Sequence, residues 1–223
     1  MSEAHASLLD RLAATIVALH PTRIIRVAID GVDGAGKTTL ADALAPLVAA
    51  QGRPTIRASV DDFHHPRSVR YARGRYSPDG FYLDSYEYDS FRTLLLDPLS
   101  PGGSGRYVAR RFDLDYDRPF EPVAQQAPPT AALIVDGIFL HRPELRAYWD
   151  LSMFLKVDFN VSVPRGAQRS PDFGASDPAS PSNQRYAGGQ QRYLSECDPE
   201  QRAAIVIGYN DLREPQILKW RRA

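Results

Sequence analysis

The chain has 223 residues, 43% hydrophobic and 24% charged, the balance of a soluble globular protein rather than a disordered one. Its formal net charge is zero at pH 7, so the basic surplus of a nucleic-acid binder is missing. A single cysteine, Cys197, excludes an internal disulfide and a cysteine-based zinc site, and no apolar run reaches the ~20 residues of a membrane helix. The opening MSEAHASLLDRL has no basic segment leading into an apolar core, so a signal peptide is not expected. The expected compartment is the cytoplasm, with no nucleic-acid or membrane partner; a homo-oligomer is left open.

In chain order, LLDRLAATIVAL (8–19) places Leu8, Leu12, Ile16 and Leu19 at helical spacing, and Pro21 stops that helix. RIIRVAID (23–30) is apolar and β-branched, the pattern of a buried strand. A helix follows, ending at Gly52. Further short strands are predicted at 55–59, 132–137, 151–157 and 203–208, with helical patterns at about 85–96 and 143–149. Short apolar strands separated by helices predict an α/β protein with a doubly wound, mainly parallel five-stranded sheet. The whole chain reads as a single domain, 1–223. Two segments stand outside that pattern. Residues 98–130, rich in Pro, Gly and Arg, read as an excursion on the substrate side. Residues 161–192 carry four prolines and four glycines and read as a lid.

GVDGAGKT (31–38) satisfies G-x-x-x-x-G-K-[ST], between a buried strand and a helix as that motif requires. A glycine-rich turn matching by chance would lack both flanks. The segment Gly31, Val32, Asp33, Gly34, Ala35, Gly36, Lys37, Thr38 and Thr39 is therefore the expected nucleotide-binding loop of a P-loop NTPase. Its backbone N–H groups and the following helix N-terminus would face phosphate, Lys37 would reach the β- and γ-phosphates, and Thr38 would hold Mg²⁺. A metal-holding acid to partner Thr38 is expected at the end of a parallel strand, and ALIVDG (132–137) supplies Asp136 there.

SVDDFHHPRS (59–68) clusters Asp61, Asp62, His64 and His65 just past the second strand. Adjacent histidines in extended chain point to opposite sides, and the i, i+4 pair of a helical metal site is missing, so a dedicated transition-metal site is disfavoured. Doubly wound sheets bind ligands at the carboxyl ends of their strands, so Asp61 should face the phosphate loop. A carboxylate facing a γ-phosphate repels it, and orienting and deprotonating an attacking hydroxyl is a reason for its presence.

The motifs GVDGAGKTT, DDFHHPR, DSYEYDSFRTLL, ALIVDGIFL and LRAYWDLSMFLKVD follow one another as they do in uridine/cytidine kinases, and the chain resembles that family over residues 24–210. The wider group includes phosphoribulokinase and pantothenate kinase. The resemblance implies ATP and Mg²⁺ as cofactors, with Asp61 as the acid that takes the proton from the acceptor hydroxyl. It implies substrate contacts from His64, Asp84 and Phe112, the last in RFDLDYDR (111–118). Arg165 and Arg169 resemble lid arginines that clamp phosphates. The sequence departs from uridine kinases where those proteins grip the pyrimidine, since the base-reading histidine has no clear counterpart here. Pro164 and the run SPDFGASDPASPSNQ also argue against a long continuous lid helix. The expected activity is phosphoryl transfer from ATP to a small-molecule hydroxyl, with uridine or cytidine as the leading acceptor and a sugar, sugar phosphate or pantothenate-like alcohol as the alternative. A nucleotide-dependent switch or a non-catalytic relative is the reading from another class.

Overall fold

The computed structural model describes residues 2–169 and 175–221, with Arg169 described through its backbone alone. The strands of the main sheet and the helices of seven residues or more run α1 (Glu3–Ala18), β1 (Ile25–Gly31), α2 (Lys37–Ala50), β2 (Thr55–Ser59), α3 (Pro78–Asp84), β3 (Ala132–Gly137), β4 (Leu151–Lys156), α4 (Phe159–Arg169), α5 (Gln184–Cys197), β5 (Ile205–Gly208) and β6 (Gln216–Trp220). The sheet order is β6-β5-β4-β1-β3-β2, parallel throughout except for β6, which pairs antiparallel with β5.

The five parallel strands lie where the sequence predicts them. The sixth, β6, is an addition. Ile217 and Leu218 in it are 40% and 50% exposed, so this edge strand is held by its backbone ladder rather than by burial and leaves little apolar signal.

Every residue of β1 is buried because both faces of the sheet are covered. Strand alternation divides the core. Ile25, Val27 and Ile29 pack with α1 and α2, through Leu12, Ile16, Leu40 and Leu44. Ala28, Leu133 and Val135 face the other way, against Phe63, Phe81, Phe91, Phe139 and Tyr193. Parallel register brings the carboxyl ends of β1, β2 and β3 to one edge, with Ser59 opposite Asp136 and Asp30 opposite Gly137.

Several irregular segments differ from expectation. Residues 143–149 form turns instead of a helix, and the helix at Tyr88–Phe91 continues in π form over Arg92–Leu96. Within 98–130, two short antiparallel ladders are nested, Arg106–Tyr107 with Gln125–Gln126 and Phe112–Asp113 with Arg118–Pro119. The described part of 161–192, expected to be a lid, is more helical than its prolines and glycines suggest. α4 runs through Pro164, which lies inside the helix and has no N–H to donate to the preceding turn. α5 contains Gly188 and Gly189, at which a Cβ would come within 2.8 Å of Pro78 and Phe81 side-chain atoms respectively. These glycines let α5 lie close against α3.

Candidate active site

The phosphate loop joins β1 to α2. At its apex, Gly34 has φ +73°, and a Cβ there would stand 2.1 Å from the Ser162 carbonyl oxygen of α4. Gly36, the N-cap of α2, has φ +90°, and no acid occupies the first turn of that helix. Both glycines adopt the left-handed backbone that a side chain would strain, and the acid-free helix start suits an anion. Lys37 Nζ donates to the Val32 carbonyl at 2.8 Å, so the loop folds its own lysine across it. Thr38 Oγ1 donates to Asp136 Oδ2 at 2.6 Å. The other oxygen of Asp136, a side chain only 2% exposed, accepts from Arg57 at 2.9 Å.

Beneath the loop, Asp30 Oδ1 accepts from the Gly31 N–H at 2.7 Å, and Asp30 Oδ2 meets His141 Nδ1 at 2.6 Å and the Tyr193 hydroxyl. This buried cluster ties β1 to α5 and fixes the start of the loop. α5 reaches the loop a second time, where Gln190 Oε1 accepts from the Asp33 N–H at 2.7 Å.

The acceptor side opens from the end of β2. A cavity of about 720 Å³ is lined by Asp33 of the loop and by Asp61, His64, Ser85, Tyr86 and Tyr186, among others. Asp61 Oδ1 accepts from the Tyr86 hydroxyl at 2.9 Å, and its other carboxylate oxygen has no hydrogen-bond partner among the described residues. Burial, and next the Asp61 charge, push the Tyr86 phenol well above its ordinary pKa, so it remains a donor. His64 packs against Tyr86 with ring centroids 4.5 Å apart and the planes tilted by 49°, and its Nδ1 lies 2.8 Å from the Asp61 carbonyl oxygen. A carbonyl only accepts, so Nδ1 carries the hydrogen. Burial lowers the His64 pKa and favours the neutral ring, whose Nε2 is then an acceptor.

The structure thus brings Asp33, Asp61 and His64 to one cavity, and Lys37, Thr38 and Asp136 together behind the loop. Other expected residues lie elsewhere. Asp84 ends α3 with its carboxylate on Arg73 Nε at 2.7 Å, and it neither caps a helix N-terminus nor lines the cavity. Phe112 is buried and its neighbours Leu114 and Asp115 line the cavity instead. Arg165 donates to the carbonyls of Tyr209, at 3.1 Å, and Asn210, away from the cavity. The side chain of Arg169 lies outside the described residues. Asp62 is held by Arg110 Nε at 2.7 Å, and its carbonyl accepts from the Arg111 N–H at 2.9 Å, which anchors the excursion to the site.

Sequence reasoning missed Arg57, Tyr86 and the cavity arginines. Arg57 had a signal, since a charged residue in the middle of a half-buried sheet strand calls for a partner acid. Tyr86 and the arginines had none, because the contacts that define them are long-range.

No protein-family model and no curated protein matches the sequence. Solved structures do. "Structure of a Possible Uridine Kinase from Bacillus stearothermophilus" superposes with a TM-score of 0.71 at 21% identity, covering 90% of this chain and 97% of that one. The "putative fructose transport system kinase" of Silicibacter sp. TM1040 gives 0.67 at 26% identity, over 85% and 94%. Phosphoribulokinase from Rhodobacter spheroides gives 0.58 at 11% identity, over 91% and 76%. The class whose fold the chain shares is the α/β P-loop kinases. Within that class, the likeness to the uridine kinase and phosphoribulokinase group read from the motifs extends to the fold of nearly the whole chain.

Proposed function

We propose that the protein is an ATP-dependent kinase that moves the γ-phosphoryl group of MgATP to a hydroxyl of a small molecule. The observation that carries this reading is the meeting, on one cavity, of Asp61 held by Tyr86 and Asp33 of a complete phosphate loop. The loop fits a nucleotide, with a side-chain-free apex and an acid-free helix start. Thr38 and Asp136, hard oxygen donors already in contact, would hold Mg²⁺. When bound, that ion would screen the charge of the phosphate oxygens.

Lys37 exchanges its neutral carbonyl partner for phosphate oxygens, a stronger charge-assisted bond. Asp61 accepts the hydroxyl proton on the oxygen that Tyr86 leaves open, while the Tyr86 hydroxyl keeps the carboxylate in one orientation. The acceptor oxygen bonds to the γ-phosphorus as the bond to the β–γ bridging oxygen breaks, and ADP leaves. His64 Nε2 is placed to accept a hydrogen bond from a second hydroxyl. Uridine or cytidine is the acceptor implied by the motif resemblance, and a sugar or sugar phosphate is the alternative.

The test is ADP release across a panel of nucleosides, sugars, sugar phosphates, pantothenate and glycerate. The reading expects release that depends on at least one hydroxyl acceptor and is lost in Lys37→Ala. ADP release that no acceptor stimulates would favour a switch or a non-catalytic relative.

A further inference from the structure

Four arginines, Arg67, Arg70, Arg75 and Arg185, line the same cavity as Asp61. The cavity also carries three aspartates, Asp33, Asp61 and Asp115. Among the described residues, neither Asp61 nor Asp115 forms an ion pair with any of the four arginines, and the one direct carboxylate partner in the group is Asp117 on Arg70.

Arg185 is 4% exposed, yet it has no carboxylate at ion-pair distance among the described residues. Its two terminal nitrogens donate only to neutral carbonyls, Ser77 at 3.3 Å and Arg70 at 3.0 Å. Its flat faces rest on Tyr71 and Phe81, with the guanidinium carbon 4.8 and 5.6 Å from the ring centroids. Burial lowers its pKa; Tyr186 and Tyr71 oppose that, the neighbouring Arg70 charge adds to it, and the nearby Asp84 carboxylate partly offsets it.

Arg70 repeats the pattern. Its side chain is 10% exposed and meets one carboxylate, Asp117, at 3.1 Å. Its Nε is buried with no hydrogen-bond partner. Arg67 and Arg75 are exposed, and their guanidinium groups make no ion pair among the described residues. Two buried, mutually repelling guanidinium groups with one direct ion pair between them, Arg70 to Asp117, and Asp84 near Arg185 without pairing to it, are costly unless something else brings negative charge. Their planar forks suit the paired oxygens of a phosphate or carboxylate. The cavity volume, about 720 Å³, suits a ligand of sugar-phosphate size.

We propose that the acceptor is an anionic alcohol, a hydroxylated molecule whose own phosphate or carboxylate is bound by Arg70 and Arg185 while its hydroxyl faces Asp61. This inference rests on the kinase reading for the hydroxyl's fate, and selects among its acceptors. A free nucleoside brings no charge to the arginines and is a poor match.

The test separates binding from turnover. Protein saturated with Mg²⁺ and a non-hydrolysable ATP analogue is titrated calorimetrically with fructose 6-phosphate against fructose, glycerate against glycerol, and uridine. The first pair reads a phosphate, the second a carboxylate. At least one anion should bind about tenfold or more tightly than its neutral counterpart and than uridine. That preference should fall about tenfold in Arg185→Gln and in Arg70→Gln, and less in Arg185→Lys. Because these side chains are buried, the exposed Arg67→Gln serves as a second probe, with a smaller loss of the same preference. Equal or tighter binding of the neutral partner, no binding of either anion at millimolar concentration, or a preference unchanged in all the folded arginine variants would overturn the proposal. ADP release on the same panel reads the other claim. Anion binding without acceptor-dependent release would sink the kinase reading alone, and release with neutral acceptors only would sink this inference alone.

Discussion

The nucleotide side of the site is nearly one segment, residues 31–39, completed by Asp136 from the neighbouring strand. The acceptor side is gathered from residues 61–86, from the hairpin near Leu114 and from residues 182–186. Its decisive contacts, such as Arg185 on Arg70 and Tyr86 on Asp61, join residues 115 and 25 positions apart. A phosphate loop depends on backbone geometry that glycines dictate locally, so its chemistry is fixed within a few residues. An acceptor cavity depends on which helices meet, so the same fold can change its acceptor without altering its transfer machinery.

Substitutions on the two sides should therefore fail in different ways. The largest effect is expected at Lys37→Ala, which should reduce phosphoryl transfer by at least about 10³-fold, measured as ADP release at saturating ATP. Near-normal turnover there would remove the phosphate loop from the reaction. Asp61→Asn should lower kcat by about 10²- to 10⁴-fold while ATP binding stays within about threefold, since the change removes a base and not a phosphate contact. Parallel loss of ATP binding would erase the distinction between the two sides. Tyr86→Phe should lower kcat by about tenfold through the loss of one hydrogen bond to a charged group. An unchanged kcat would mean that Tyr86 does not orient Asp61.

The smallest effect concerns His64, whose pKa burial lowers. The unfolded residue titrates near about 6.5, so as pH falls below that value the unfolded chain takes up the proton first and stability drops. Between pH 7.5 and 5.5 the melting temperature should fall more in the native protein than in His64→Gln. Equal pH dependence in the two would argue that His64 is not held neutral by burial.

Legibility in the sequence followed the same division. β1, β3, β4 and β5 are apolar runs because both faces of the sheet are covered there, whereas the edge strand β2 alternates, and Asp136 stands out as the acid that ends one of the runs. Asp61 could be placed from the position of β2 alone. The motif around Asp84 fits a sugar contact, but it gives no sign of Arg73, eleven residues earlier, which holds the Asp84 carboxylate in the structure. α5 was read as part of a loop because Gly188 and Gly189 are poor helix formers. Their role is close packing against Pro78 and Phe81, which outweighs propensity. Since α5 starts at Gln184, that misreading also hid Arg185 and Tyr186, and with them the charge of the cavity.

The central claim is transfer to an alcohol rather than to water. ATP labelled in its γ-phosphate, followed in the presence of the acceptor panel, tests it most directly. The account predicts that the label appears in an acid-stable phosphate ester of an acceptor and that Asp61→Asn suppresses its formation. Label recovered only as inorganic phosphate, at a rate no acceptor changes, would contradict it.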